Sequence, residues 1–326
     1  MATYKGIQGF SIQNLSADPS NPIEGQVWYN STSNVWKVEE LTTAGAWASG
    51  TNMPTVRSGG VGGGTQNAAL VSGGYAGGAP PGLLITTFEY DGSTWTSSGN
   101  ISTSTTERGY TGLQTAALAW GNSATSTATE EYNGSTWTSG GSLGTGRAGS
   151  AGAGIQTAAL AMGGYPSPTI SEEYDGTSWS GGGPMTNGGY FVAGAGTQTA
   201  GLAFGGTIAG PVGLFTTTEE YNGASWTAGG ALNTGRYGSQ GTGIQTAALA
   251  IGGFNGSPTT ATEEYDGASW TTVSSLANTR NVGMVGNASP NSASIVYGGF
   301  NGTAAIAATE EWTGPGVAVT KTITVS

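Results

Sequence analysis

One short phrase recurs through most of the chain and constrains its fold more than any other feature. Gln-Thr-Ala-Ala-Leu begins at Gln114, Gln156 and Gln245, and close variants begin at Gln66 and Gln198. Successive copies are 42 to 48 residues apart. A repeat of this length is one supersecondary unit, which buries its apolar faces by packing against its neighbours. The chain is therefore predicted to be an array of similar units.

Each unit carries further landmarks that indicate four short antiparallel strands. The repeated phrase is one strand, and a Glu-Tyr or Glu-Glu-Tyr segment is the next. That segment ends at Tyr90, Tyr132, Tyr174, Tyr221 and Tyr265, with Trp312 in the equivalent place. Asp-Gly or Asn-Gly then favours a tight hairpin turn. The last strand begins at a tryptophan, namely Trp95, Trp137, Trp179, Trp226 and Trp270. An arginine precedes the first strand, at Arg57, Arg147 and Arg236.

Four-stranded units at this spacing are typical of β-propeller blades. We predict an all-β propeller of six or seven four-stranded blades, which occupies residues 25–326 and is closed by its N- and C-terminal strands. Residues 1–24 are predicted to be an N-terminal attachment arm. Two closures stay open. In one, which we prefer, the termini together form a seventh blade; in the other, the N-terminal segment that contains Trp47 completes the sixth.

The charge pattern and the missing residue types narrow the possible partners and chemistry. The formal net charge is −11 and the 8 basic residues are scattered, so neither nucleic acid nor an anionic membrane is an expected partner. The chain has no cysteine and no histidine, which removes disulfides and the commonest general base. We predict no cofactor and no metal site. The hairpin aspartates are assigned to turns, because a calcium site needs several oxygen ligands.

Pairs of adjacent glutamates are the feature closest to catalytic chemistry. They are Glu130-Glu131, Glu172-Glu173, Glu219-Glu220, Glu263-Glu264 and Glu310-Glu311. A glycosidase needs two carboxylates that converge on one bond, whereas adjacent residues of a strand point to opposite faces. One glutamate of each pair is predicted to meet the repeated arginine, and the repeated glutamine is predicted to bind backbone. We predict that the chain is not an enzyme, with a glycan-cleaving protein as the runner-up.

An aromatic residue often follows the Gly-Gly pair that ends the second strand. In a propeller the loops at this position share one face, so these rings are candidates for a face that binds a partner or a glycan. They are Tyr75, Tyr165, Phe254 and Phe300. The alternative is that each ring plugs the core beneath its loop. Two apolar loops, 79–85 and 208–215, differ from their counterparts and favour protein contacts.

The order of arginine, strand, Gly-Gly, tyrosine and tryptophan over residues 47–312 resembles kelch repeats. The start, Gly25-Gln26-Val27-Trp28-Tyr29-Asn30-Ser31-Thr32, and the end, Thr320-Lys321-Thr322-Ile323-Thr324-Val325-Ser326, flank the Thr-Ala-Ala-Leu repeats. This combination is similar to virion proteins of tailed bacteriophages of the marine and cyanobacterial type.

The resemblance implies a structural or adhesive virion component, such as a tail fibre. Such a component would assemble with other virion proteins, would self-associate, and could contact a glycan of the host surface. The alternatives are a lectin-like receptor-binding protein and, ranked below it, a glycan-cleaving tail enzyme. The start Met-Ala-Thr-Tyr-Lys-Gly lacks the apolar region of a signal peptide, so we expect synthesis in the host cytoplasm and a place in the virion.

Overall fold

The computed structural model describes residues 13–20, 25–41, 44–77, 82–103, 106–209, 212–287, 290–316 and 318–323. All regular structure in these ranges is β-strand, and no helix there has the length and apolar composition needed to cross a membrane. The first strands are β1 (Gln13–Leu15), β2 (Val27–Asn30), β3 (Val35–Leu41), β4 (Ala46–Ser49), β5 (Gly64–Thr65), β6 (Ala68–Ser72), β7 (Thr87–Tyr90) and β8 (Trp95–Ser98).

The middle of the chain continues the same pattern of short strands. These are β9 (Gly109–Leu113), β10 (Ala116–Trp120), β11 (Thr129–Tyr132), β12 (Trp137–Ser139), β13 (Ala151–Ile155), β14 (Ala158–Met162), β15 (Ser171–Tyr174) and β16 (Trp179–Gly181). They are followed by β17 (Ala193–Gly196), β18 (Gly201–Phe204), β19 (Thr207–Ala209), β20 (Val212–Leu214), β21 (Thr218–Tyr221) and β22 (Trp226–Ala228). The last strands are β23 (Gln240–Ile244), β24 (Ala247–Ile251), β25 (Thr262–Tyr265), β26 (Trp270–Val273), β27 (Met284–Val285), β28 (Ala293–Tyr297), β29 (Thr309–Thr313) and β30 (Ala318–Ile323).

The chain divides into two compact units, and the smaller one consists of Met1–Gly45 with Thr313–Ser326. Its strands form one sheet, the terminal sheet, in the order β1-β2-β3-β30. Trp28 and Asn30 donate hydrogen bonds to Asp18 at 3.0 and 2.8 Å. Lys37 also donates to Asp18, and these three bonds lower the pKa of Asp18 to about 2.

The predicted attachment arm falls mostly outside the described residues. Within residues 1–24, the structure describes 13–20, and Gln13–Leu15 pairs in parallel with β2 at the edge of the terminal sheet. A function of this segment in attachment stays a prediction.

The larger unit, Ala46–Trp312, contains six four-stranded sheets. Sheet 1 is β5-β6-β7-β8, sheet 2 is β9-β10-β11-β12 and sheet 3 is β13-β14-β15-β16. Sheet 4 is β17-β18-β21-β22, with the hairpin β19-β20 inserted in it, and sheet 5 is β23-β24-β25-β26. Sheet 6 is β27-β28-β29-β4. The repeat is thus a four-stranded antiparallel sheet, as the sequence predicts, and the fold is propeller-like.

The fourth strand of sheet 6 comes from the beginning of the unit. Trp47 on β4 packs against Trp312 with ring centroids 5.3 Å apart, and its Nε1 donates to Thr262 Oγ1 at 3.0 Å. Trp47 therefore occupies the place of the last-strand tryptophan. The C-terminal strand β30 instead pairs with β3 in the terminal sheet. Six repeated sheets correct the preference for seven, because the segment with Trp47 completes the sixth.

Three kinds of repeated side chain join sheets 1 to 5 to the sheet before them, and the glutamine is the first. Gln156 Nε2 donates to the carbonyl oxygens of Ala117 and Tyr132 in sheet 2, at 2.9 and 2.8 Å. Gln66 makes the same bonds from sheet 1 to Ser294 and Trp312 in sheet 6. The other copies follow the pattern: Gln114, Gln198 and Gln245. Sheet 1 thus adjoins sheet 6 as the other neighbours adjoin each other.

The tryptophan of the last strand reaches the preceding sheet in the same way. Trp270 is 5% exposed, and its Nε1 donates to Thr218 Oγ1 at 2.9 Å. Trp137 and Trp179 donate to equivalent threonines. The buried apolar side chains form six clusters, one for each pair of neighbouring sheets, including the pair of sheet 6 and sheet 1. Burial of these clusters is the main source of stability.

The tyrosine at the end of the third strand makes the third contact, to the second glutamate of the pair in the preceding sheet. Tyr265 OH donates to Glu220 Oε1 at 2.6 Å, and Tyr90 OH donates to Glu311 Oε1 at 2.7 Å from sheet 1 to sheet 6. Desolvation, and then the bond to the carboxylate, raise the pKa of both tyrosines to about 12.

These tyrosines predict how stability depends on pH. Their pKa in the folded state lies above the ordinary value of 10, so their stabilising contribution is complete below pH 10 and is lost as the pH rises towards 12. We expect chemical unfolding to give a constant free energy from neutral pH to about pH 10 and a steep fall above it. Tyr265→Phe should cost about 1–2 kcal/mol at neutral pH and should make the fall shallower. A curve that stays level to pH 12 would contradict this account.

Candidate functional site

The repeated arginines and the first glutamates of the pairs form buried ion pairs within one sheet. Arg236 Nη2 donates to Glu263 Oε1, and Asn233 N donates to Glu263 Oε2 at 2.7 Å. Equivalent ion pairs join Arg147 to Glu172 and Arg280 to Glu310. Since the second glutamate of each pair faces a neighbouring sheet, the two carboxylates of a pair have separate partners and do not converge.

Three sheets depart from this pattern. In sheet 1, Phe88 replaces the first glutamate, and the Arg57 guanidinium lies 5.0 Å from its ring centroid; burial lowers the pKa of Arg57 to about 10. In sheet 4, glycine replaces the arginine, and Glu219 accepts bonds from backbone N–H groups. In sheet 2, Arg108 pairs with Glu130 at 2.7 Å from a position three residues later than its counterparts.

The aspartates of the hairpin turns accept hydrogen bonds from the backbone of the same turn. Asp91 Oδ1 accepts hydrogen bonds from the N–H groups of Ser93 and Thr94 at 2.8 and 2.7 Å. The bonds from Thr94 and Ser93 lower the pKa of Asp91. Across the described part of the chain, no group of three or more acidic side chains is placed to hold a metal ion.

The aromatic residues predicted to form a partner or glycan face lie at one end of the sheets, here called the loop end. Each pairs through its backbone with the residue that follows the arginine position, as Tyr165 does with Ala148 and Phe254 with Tyr237. Tyr75 and Phe300 make the equivalent bridges to Ser58 and Asn281. Tyr165 is 51% exposed and Tyr75 37%, whereas the two phenylalanines are half-buried.

The two predicted apolar loops also belong to the loop end. Leu83, Ile85 and Ile208 are exposed there. Residues 79–81 and 210–211, which these predictions also include, lie outside the described residues.

Six residues at the loop end, one from each sheet, form a ring of backbone hydrogen bonds. Each has a positive φ of 43 to 63°, and they are Gly59, Glu107, Gly149, Phe191, Gly238 and Val282. Each N–H donates to the carbonyl of the member before it at 2.7 to 3.0 Å, and Gly59 N donates to Val282 O. The bonds therefore return to their start. Glycine adopts this φ without strain, whereas the three larger residues do not.

Beneath this ring lies a cavity, here called the cup, which is lined by residues of all six sheets. Its volume is about 80 Å³. Tyr110 extends from sheet 2 across the cup, where its OH donates to Gln240 Oε1 of sheet 5 at 3.1 Å. The first strands of neighbouring sheets approach each other closely around the cup. A Cβ atom added at Gly152 would lie only 2.1 Å from the carbonyl oxygen of Tyr110. Glu107 and Phe191 also line the cup.

Two groups of aromatic rings lie at the loop end on sheets 3 to 5, and we call them together the aromatic arc. The ring centroids of Tyr165 and Tyr190 are 5.4 Å apart, those of Phe191 and Tyr237 are 5.9 Å apart, and those of Tyr237 and Phe254 are 5.2 Å apart. The predicted residues Tyr165 and Phe254 thus belong to separate groups, and Phe191 of the second group lines the cup.

Sequence reasoning missed the cup and three of the five rings of the arc, Tyr190, Phe191 and Tyr237. The signal that could have revealed them is the third residue of the segments Arg57-Ser58-Gly59, Arg147-Ala148-Gly149 and Arg236-Tyr237-Gly238. Aligning the remaining sheets on that glycine would have singled out Glu107, Phe191 and Val282 as the exceptions.

The surface of the larger unit carries no exposed positive charge. It contains five arginines and no lysine, against 15 aspartates and glutamates. All five arginines are buried, with exposed fractions of 0 to 4%. The larger unit therefore has an excess of negative charge, and Glu107 is an exposed carboxylate at the loop end.

Comparison with known proteins identifies the fold alone. No protein-family model matches the chain, and no curated protein matches it significantly. The solved structure of YjhT is similar, with a TM-score of 0.67 and 14% sequence identity over 83% of this chain and 99% of that one. This similarity agrees with a propeller-like fold of repeated four-stranded sheets.

The prediction that the chain is not an enzyme is withdrawn as a correction. It treated a repeated scaffold without histidine or cysteine as non-catalytic, and the propeller-like fold shared with YjhT does not exclude catalysis. The repeated glutamate pairs are accounted for by structural bonds, but this says nothing of the cup, where Glu107, Phe191 and Val282 stand in place of the glycine of the other sheets.

Proposed function

We propose that Ala46–Trp312 is a closed, kelch-like six-bladed propeller and that the chain is a structural and adhesive component of a tailed-phage virion. Closure is supported by the contacts of sheet 6 with sheet 1, which repeat those between the other neighbours. The virion assignment is supported by the resemblance of the repeats and of both terminal segments to virion proteins.

The observation that carries an assembly function is where the large apolar side chains remain exposed. The turn between the first and second strands carries Leu113, Ile155 and Ile244 in three blades, with exposed fractions of 42, 48 and 55%. These turns lie at the opposite end from the loop end, here called the hairpin end. Several exposed aliphatic side chains at one end are typical of a surface that packs against another protein. The loop end also exposes aliphatic side chains, but there they stand beside the exposed rings of Tyr75 and Tyr165. The hairpin end would then attach to a virion protein, leaving the loop end to meet the host surface.

A matched pair of triple variants tests this assignment. Changing Leu113, Ile155 and Ile244 to serine should reduce co-sedimentation of the labelled protein with virions by about tenfold or more. The control changes Leu83, Ile85 and Ile208 to serine at the loop end, which should leave co-sedimentation intact. Equal loss in both variants would contradict attachment by the hairpin end. If mass spectrometry of purified virions does not find the protein, the virion assignment fails.

A further inference from the structure

The aromatic arc offers a rigid surface for rings that have an apolar face. Tyr190 and Tyr237 are half-buried, and backbone bridges fix Tyr190 to Thr207 and Tyr237 to Phe254. Little side-chain entropy is therefore lost when a ligand packs on them. A sugar ring has C–H groups on its face and hydroxyl groups at its edge, so it can stack on such rings while its hydroxyls remain solvated.

Charge decides which saccharides this surface can accept. The larger unit has an excess of ten negative charges, and its arginines are buried. A uronic-acid, sulfated or phosphorylated polymer would meet repulsion, because the arginine that lines the cup, Arg108, is buried and already ion-paired to Glu130. The surface therefore favours an uncharged polymer.

The cup adds hydrogen-bonding groups of both kinds beside the arc. The carboxylate of Glu107 is exposed at the rim and can accept bonds from two neighbouring hydroxyls. Arg108 and Asn287 line the cup, and in the described chain Arg108 Nη2 and Asn287 Oδ1 have no hydrogen-bond partner. A hydroxyl both donates and accepts, so it suits a wall that presents unpartnered atoms of each kind.

Backbone strain at the rim is an independent sign that these side chains are used. Glu107, Phe191 and Val282 hold a positive φ, which is costly for residues other than glycine. Glycine stands at the same place in the other three sheets and makes the same backbone bonds. The ring therefore does not need these side chains for its hydrogen bonds, and each of the three lines the cup.

We infer that the loop end binds an uncharged polysaccharide, whose sugar rings pack on the aromatic arc and whose hydroxyl groups meet Glu107 at the rim of the cup. This inference deepens the surface-binding part of the proposed function. It does not depend on assembly, because it concerns the opposite end of the sheets.

The purified full chain should therefore bind uncharged polysaccharides in affinity electrophoresis against a neutral glucan, a neutral mannan, a neutral galactan and an anionic polygalacturonate. We expect retardation by at least one neutral polymer and none by polygalacturonate. Tyr165→Ala should weaken binding about tenfold, and Tyr165→Phe should retain it. Glu107→Gly should also weaken binding about tenfold without lowering the melting temperature, since glycine suits the φ of 63° there.

Ile155→Ala, which changes an equally exposed side chain at the hairpin end, is the matched control and should bind like the unchanged protein. The hairpin-end triple variant should also bind polysaccharide normally, so the two proposals fail separately. The inference is overturned if no neutral polymer retards the protein, if polygalacturonate binds as well as the neutral polymers, or if both loop-end variants bind like the unchanged chain. Loss of virion attachment in Tyr165→Ala without polysaccharide binding would instead assign this end to a protein partner.

Discussion

Replacing Arg236 by methionine is expected to lower the free energy of unfolding of the larger unit by about 3–5 kcal/mol. The guanidinium is 1% exposed, and it is the cation that faces Glu263, which is also 1% exposed. Methionine fills much of the volume but leaves a buried carboxylate without a counter-charge. Urea denaturation followed by tryptophan fluorescence would measure the loss.

The chain provides a matched control for this variant in sheet 1. Arg57 is as deeply buried as Arg236, but it faces the ring of Phe88 and carbonyl oxygens. Arg57→Met therefore leaves no buried carboxylate without a counter-charge. It should lower the free energy of unfolding by about 1–2 kcal/mol, because hydrogen bonds are lost. The double variant Arg236→Met with Glu263→Leu should recover most of the stability lost in the single variant. Equal losses at Arg57 and Arg236, or a double variant no better than the single one, would refute this explanation.

The strands could be predicted because each is specified by residues a few positions apart. Both strands of a hairpin are fixed by local features of the sequence. These are the alternation along Thr-Glu-Glu-Tyr, the Asp-Gly or Asn-Gly turn and the tryptophan that follows it. The meeting of arginine and glutamate was also predictable, since both repeat with the same period. Arg108 shows where this reasoning fails. It lies three residues later in its repeat than the other arginines, and the residue types of the repeat do not reveal that this position also pairs with the glutamate, Glu130.

The cup and the aromatic arc were harder to predict for a different reason. Their residues come from separate sheets, and they share a backbone angle or a ring contact rather than a residue type. Tyr165 and Phe254 were found because they follow Gly-Gly, whereas Tyr190 and Tyr237 occupy the position after the arginine site, which carries small or polar residues elsewhere. The closure of the array was ambiguous because both termini contain strand-like segments, and the choice between them depends on tertiary pairing.

That choice leads to the second large expected effect, at the junction of sheets 5 and 6. Trp47→Ala should lower the free energy of unfolding by about 3 kcal/mol, and Trp270→Ala in the interior of the array should cost a similar amount. Both indoles donate to a threonine of the neighbouring sheet, Trp47 to Thr262 at 3.0 Å and Trp270 to Thr218 at 2.9 Å. If β4 completes sheet 6 in a closed ring, a loss at either place weakens the whole ring.

Calorimetry distinguishes this ring from an open array. In a closed ring, Trp47→Ala and Trp270→Ala should each give one cooperative transition at a lowered temperature, because every sheet depends on two neighbours. In an open array, contacts act between nearest neighbours, and damage at the end would separate a small early transition from an unchanged main one. Trp47→Phe keeps the stacking on Trp312 and loses the bond to Thr262, so it should cost about 1 kcal/mol. A mild Trp47→Ala beside a severe Trp270→Ala would mean that β4 does not hold the ring together.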